Sequence, residues 1–166
     1  IKYHNKHPLK HTSNYLHLLQ LRCAMNNQPL VFERVYNSPI DKVWRAITDK
    51  DEMKEWYFDL SEFKAEVGFE FEFSGGAEDG IQYLHKCVIT EVVPLSKLSY
   101  SWRYEGYQGN TTVSFELFQH GDDTKLRLTH VGLETLPAID DFARVNFIGG
   151  WNEFINIRLK EYLEKQ

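Results

Sequence analysis

From Phe69 to His130 the chain alternates apolar and polar residues with a period of two, in one segment after another. "FEFEF" at 69–73 places Phe69, Phe71 and Phe73 on one face and Glu70 and Glu72 on the other. "KLSYSWRYEGY" sets Leu98, Tyr100, Trp102 and Tyr104 against Ser99, Ser101 and Arg103. "TVSFELF" groups Val113, Phe115 and Leu117, and "TKLRLTHVG" groups Leu126, Leu128 and His130. Successive side chains of a strand point to opposite faces, so each segment predicts a strand with one apolar face. The connections are short. "SGGAEDG" at 74–80 and "GDD" at 121–123 read as turns, and Pro94 stops a strand that starts at Ile81. Strands joined this closely pair as an antiparallel meander.

Helices flank the meander. After a first strand, "LVFERVYN" at 30–37, "SPIDKVWRAITDKDEMKEWYF" packs two tryptophans among many charges. Ser38 suits an N-cap and Pro39 a first turn, and Ile40, Val43, Trp44 and Ile47 recur at helical spacing. Asp49 followed by Glu52 starts a second helix that carries Met53, Trp56 and Tyr57 inward. The charges are the solvated faces. The chain closes with a helix predicted from Ala138 to Leu163, roughly 39 Å long at 1.5 Å per residue. Its inner stripe is Ile148, Trp151, Ile155, Leu159 and Tyr162, flanked by Phe147, Phe154 and Leu163. The expected order is one strand, two helices, about six strands and a long helix. A curved sheet can wrap such a helix and leave an inner space between the two.

The 166 residues suit one domain with a sizeable core. Net charge is −5, yet residues 1–24 hold Lys2, Lys6, Lys10 and Arg22 and no acid, so the acidic excess falls on the remainder. An acidic domain disfavours nucleic acid and anionic membranes as partners. No apolar run approaches the ~18 residues of a membrane span. Cys23 and Cys87 fit no metal spacing and no disulfide framework, which suits a reducing cytosol. Residues 1–24 hold His4, His7, His11 and His17, but Pro8 breaks the helix that would align His7 with His11, so no metal is expected there. The segment reads as a leader or an expression-derived stretch outside the fold, with residues 25–166 forming the single domain.

Several stretches together resemble a known family. They are "SPIDKVWRAITDKDEMKEW", "VGFEFEF", "EDG", "VITEVVPLSKLSYSW", "DDTKLRLTHVG" and "GGWNEFINIRLKEYL", spread in order over Pro29 to Glu164. In that order and spacing the chain is similar to the SRPBCC (START-like) superfamily, and within it to homologs of the activator of the 90-kDa heat-shock-protein ATPase, C-terminal domain type. The resemblance implies an α+β helix-grip fold, in which a curved antiparallel sheet grips the long C-terminal helix and encloses a mostly apolar cavity. It also implies a chaperone as a second class of partner. The eukaryotic co-chaperone carries a further N-terminal domain that has no counterpart of that size here, so stimulation of a chaperone ATPase is not expected.

The expected function is therefore non-enzymatic binding of a small apolar ligand, lipid-like or aromatic, in a cytoplasmic protein with no cofactor. The candidate cavity residues are Trp56, Phe71, Tyr100, Trp102, Phe115, Leu117, Leu128, His130, Phe147 and Trp151. Trp44 reads as plain core and Trp56 as core or lid. A protein-interaction module related to the chaperone activators is the alternative. A cyclase or hydrolase using His130 or Tyr100 is the third reading. His85, His120 and His130 lack the neighbours that nucleophilic catalysis requires, and a satisfied buried histidine is the simpler account of His130. The glycine-rich 74–80 segment is followed by no helix and no "GK[ST]", so it reads as turn chemistry and not as a phosphate cradle.

Overall fold

The computed structural model describes residues 27–165 together with His17. The leader expectation for residues 1–24 and the fate of Cys23 lie outside the described residues. Six strands form one antiparallel sheet: β1 (Leu30–Tyr36), β2 (Glu70–Gly75), β3 (Tyr83–Val93), β4 (Lys97–Tyr104), β5 (Thr111–His120) and β6 (Asp123–Val131). Their order is β1-β6-β5-β4-β3-β2, so the meander from β2 to β6 is sequential and β1 closes against β6. The alternation holds over most of the sheet; β4 breaks it by burying Leu98, Ser99 and Tyr100 in a row, and β5 loses it after Leu117. Up to that point β5 buries every second residue, as β6 does, pairing Val113 with His130, Phe115 with Leu128 and Leu117 with Leu126. Five strands, one fewer than expected, follow the helices.

Residues 144–164 form one continuous helix in three parts: α3 (Arg144–Trp151), a π-helical stretch (Asn152–Arg158) and α4 (Leu159–Glu164). It is about 30 Å long at 1.5 Å per residue and starts six residues later than the sequence pattern suggests. Asp140–Phe142 forms a separate 3-10 turn, and Ala143 is extended at φ −63°, ψ 139°, which ends that turn before the helix begins. The inward stripe also differs. Phe147, Trp151, Ile155, Leu159 and Leu163 are buried, whereas Ile148 is 42% exposed and Tyr162 is only half-buried. The wider π turn, with Leu159 N–H bonding back five residues to the Phe154 carbonyl, keeps a four-residue repeat on the sheet side. The Tyr36 hydroxyl donates to the Ile155 carbonyl in this stretch at 2.7 Å.

The two helices after β1 are α1 (Ile40–Thr48) and α2 (Lys50–Met53). Asp49 caps α2 as expected, accepting from the N–H groups of Asp51 and Glu52. Ser38 does not cap α1. Pro39 holds the N-cap position, and the buried Ser38 hydroxyl has no partner among the described residues. The inward face of α1 is Val43, Ala46 and Ile47; Trp44 is only half-buried and lies beside the core, not in it. Trp56 is the core tryptophan. It lies in the turn after α2, 1% exposed, and its Nε1 donates 2.7 Å to the Ala46 carbonyl. That carbonyl belongs to the last turn of α1 and has no intrahelical partner, so Trp56 closes the helix end while filling the core.

Candidate functional site

Between the sheet and the N-terminal half of the long helix lies a cleft of about 690 Å³, within the range typical of small-molecule sites. Tyr83 and His85 of β3 with Trp102 and Tyr104 of β4 form the sheet wall. Phe147, Trp151 and Phe154 form the helix wall, Phe58 and Phe142 flank it, and Asp141, Asn146, Glu153 and Arg158 supply the polar part. The sheet residues converge because they share one parity on antiparallel neighbours: His85 pairs with Phe73 on one side and with Tyr104 on the other.

The walls are ordered ring against ring. His85 stacks on Phe73 with centroids 4.4 Å apart and meets Trp102 edge-on at 4.8 Å. Trp102 and Trp151 lie 5.7 Å apart across the cleft's inner end. Burial drives the His85 pKa down to about 4, the Phe73 and Tyr83 carbonyls countering it only in part. The ring is therefore neutral at physiological pH. Its Nδ1 sits 3.2 Å from the Phe73 carbonyl oxygen, which can only accept, so the proton is on Nδ1 and Nε2 carries a lone pair.

Behind this wall His130 is fully buried, and its tautomer follows from its partners. The Trp151 indole can only donate, so Nδ1 accepts its N–H at 3.0 Å. The proton of the neutral ring then sits on Nε2, which donates to Thr111 Oγ1 at 2.7 Å. Thr111 passes its own hydrogen to the Trp102 carbonyl at 3.0 Å. Burial, with the nearby Arg144 charge second, lowers the His130 pKa to about 3. Both ring nitrogens are occupied. Tyr100 is also committed, its hydroxyl 2.9 Å from that of Tyr57, and burial pushes both phenols well up. At the cleft, Tyr83 donates to Asp141 at 2.5 Å, and this bond, with burial second, raises the phenol to about 12.

The model of the Activator of Hsp90 ATPase homolog 1-like proteins matches residues 37–164. The chain belongs to that family. Its fold is shared by MLL2253 from Mesorhizobium loti, 28% identical, covering 84% of this chain and 98% of that one with a TM-score of 0.67. CV1439 from Chromobacterium violaceum is 21% identical, covering 82% and 96%, with a TM-score of 0.70. DynU16, a protein of the dynemicin biosynthetic locus, is 24% identical with a TM-score of 0.67; the match covers 82% of this chain and 47% of DynU16. No curated protein matches the chain.

Of the residues proposed from sequence, this family member brings Trp102, Phe147 and Trp151 to the cleft. Trp56, Tyr100, Phe115, Leu117 and Leu128 pack in the buried apolar cluster, and His130 is fully buried beside the rings of Trp102, Phe147 and Trp151. Phe71 is buried too, and borders a smaller depression of about 340 Å³ beside Glu70, Glu72, Lys86 and Arg103. The sequence reading missed Phe58, Tyr83, His85, Tyr104, Phe142 and Phe154 at the cleft. For Tyr83 and His85 the signal was present, since both share the parity of the buried Cys87 and Ile89. Phe142 gave no such signal, because its 3-10 turn has no long-range period. Gly149 and Gly150 also line the cleft; a Cβ at either would meet nothing within 4 Å, so close packing does not require them.

Proposed function

We propose that this domain binds a small, mostly apolar ligand in the cleft between the sheet and the long helix, without turning it over. One observation carries the reading: a cleft of about 690 Å³ walled by aromatic rings from both sides, with a few polar groups among them. Such a site removes apolar ligand surface from water and offers ring faces and edges for contact. The committed state of His130 and Tyr100 supports binding over acid–base chemistry, because neither has a free ionisable position near neutral pH. His85 faces the cleft as a neutral ring, too weak a base to take a proton readily at pH 7. Among the described residues no helix is long and apolar enough to cross a membrane, which is compatible with a cytoplasmic setting.

The test is mass spectrometry of small molecules extracted from the purified protein. A stoichiometric apolar compound, absent from a cleft-filled variant, supports the reading. An empty protein that also fails to respond to a panel of apolar compounds overturns it. The family's name raises chaperone contact as the alternative. It predicts capture of the 90-kDa chaperone by the purified domain, a result that the ligand reading does not require.

A further inference from the structure

We infer that the mouth of the cleft takes a positively charged nitrogen, so that the ligand is an amphiphilic amine. Its apolar body lies in the cleft and its ammonium group sits against Asp141. The inference rests on the ligand-binding reading above and assigns the polar end of that ligand.

Asp141 is held in place by the fold. It lines the cleft from the 3-10 turn that precedes the long helix. Its Oδ2 accepts from the Tyr83 hydroxyl, and the Asn146 side-chain amide donates to the Asp140 and Asp141 carbonyls at 2.8 and 3.2 Å. Side chain and backbone are thus both fixed. Yet among the described residues no basic side chain is paired with this carboxylate. Asp141 is exposed, so its second oxygen is open to a ligand at the mouth. A carboxylate that is already positioned loses little freedom when a partner arrives.

The remaining polar lining offers acceptors and few donors. Asn146 has spent both amide hydrogens, which leaves its side-chain oxygen. His85 gives its one ring hydrogen to the Phe73 carbonyl and keeps a lone pair. Among the described residues lining the cleft the one Lys or Arg is Arg158. Glu153 takes its charge at 3.0 Å, and it lies over the Phe154 ring at 5.4 Å. The charge left over is that of Asp141. An ammonium group brings the hydrogens and the positive charge that this lining lacks, whereas a carboxylate head group meets like charge.

The rings beside Asp141 act in the same direction. Phe142 stacks on Tyr104 at 4.3 Å and lies 5.0 Å from Tyr83 and 5.2 Å from Tyr107, so aromatic side chains crowd around the turn that carries the carboxylate. Tyr83, Tyr104 and Phe142 all border the cleft. A cation among them is attracted by the ring quadrupoles as well as by the carboxylate.

The test uses the full chain at pH 7 in low salt and three probes that share one apolar body: 4-phenylbutylammonium, 4-phenylbutan-1-ol and 4-phenylbutyrate. The cation should bind more tightly than the anion by about fivefold. Asp141→Asn keeps an acceptor for the Tyr83 hydroxyl and should bring the two within about twofold of each other. Glu134→Gln, on a separate 3-10 turn outside the cleft, should keep the full preference. An anion that binds the parent chain as tightly as the cation overturns the amine assignment; saturable binding of the alcohol then leaves the broader reading standing. Survival of the preference in a folded Asp141→Asn, or its loss in Glu134→Gln, overturns the placement at Asp141. Should Asp141→Asn fail to fold, Glu153→Gln decides: a retained preference supports the placement and a lost one overturns it. Binding of none of the three probes sinks both readings.

Discussion

Trp151 of the long helix donates its indole hydrogen to Nδ1 of His130 on β6, 3.0 Å away, and thereby fixes which nitrogen of that fully buried ring carries the proton. The bond joins helix to sheet immediately behind the cleft, and it continues through Thr111 to the backbone of Trp102. Two cleft tryptophans are thus held by one neutral histidine.

Replacing His130 by Leu leaves the Trp151 N–H buried without an acceptor. Such an orphan costs about 1–3 kcal/mol, so urea denaturation of His130→Leu should show a loss in that range. His130→Gln, which can accept from one side and donate from the other, should lose less.

Acid should destabilise the fold earlier than its carboxylates would. The His85 pKa is lowered to about 4 and that of His130 to about 3, while an unfolded histidine titrates near 6.5. Between those values the unfolded chain binds protons that the folded one refuses, so stability rises with pH there. It is fully present above about 6.5 and falls as pH drops toward 4 and 3, by roughly 2 kcal/mol per histidine between 6.5 and 5. Denaturation midpoints across pH 5–8 check this. His85→Phe should remove about half of the slope.

The two tryptophans of the first helical region should differ sharply. Trp56→Ala opens a void in the core and frees the Ala46 carbonyl, costing about 3–5 kcal/mol. Trp44→Ala removes a half-buried ring and should cost about 1–2 kcal/mol. Equal losses measured by chemical denaturation contradict this placement.

Gly149→Ala should stabilise the domain by about 0.5–1 kcal/mol, since alanine improves the helix and its methyl meets nothing within 4 Å. A fall in the denaturation midpoint shows instead that the helix needs glycine there.

The strands were legible because alternation and turn residues are local signals: Phe71, Phe73, Trp102, Phe115 and Leu128 all sit on the buried face. The tryptophans of α1 and its following turn were not separable locally. Their roles depend on Trp56 finding the Ala46 carbonyl, a contact between two elements whose angle no local pattern sets. The helix register slipped from Phe147 to Ile148 because periodicity assumes 3.6 residues per turn, whereas Asn152–Arg158 is π-helical. The predicted start at Ala138 fell six residues early because Asp140–Phe142 turns separately. At the site, cleft wall and dry core use the same residue types. Trp102 and Tyr100 read alike in sequence, yet one lines the cleft and the other is sealed beneath Tyr57.

The central claim is that a ligand sits between sheet and helix, and fluorine NMR of the protein carrying 5-fluorotryptophan tests it most directly. The four tryptophans report four places: Trp44 at the periphery, Trp56 in the core, and Trp102 and Trp151 at the cleft. Titration with quinoline should shift the Trp102 and Trp151 resonances in a saturable manner and leave Trp44 and Trp56 in place. Saturable shifts confined to Trp44, or four resonances that stay fixed at every concentration, contradict it.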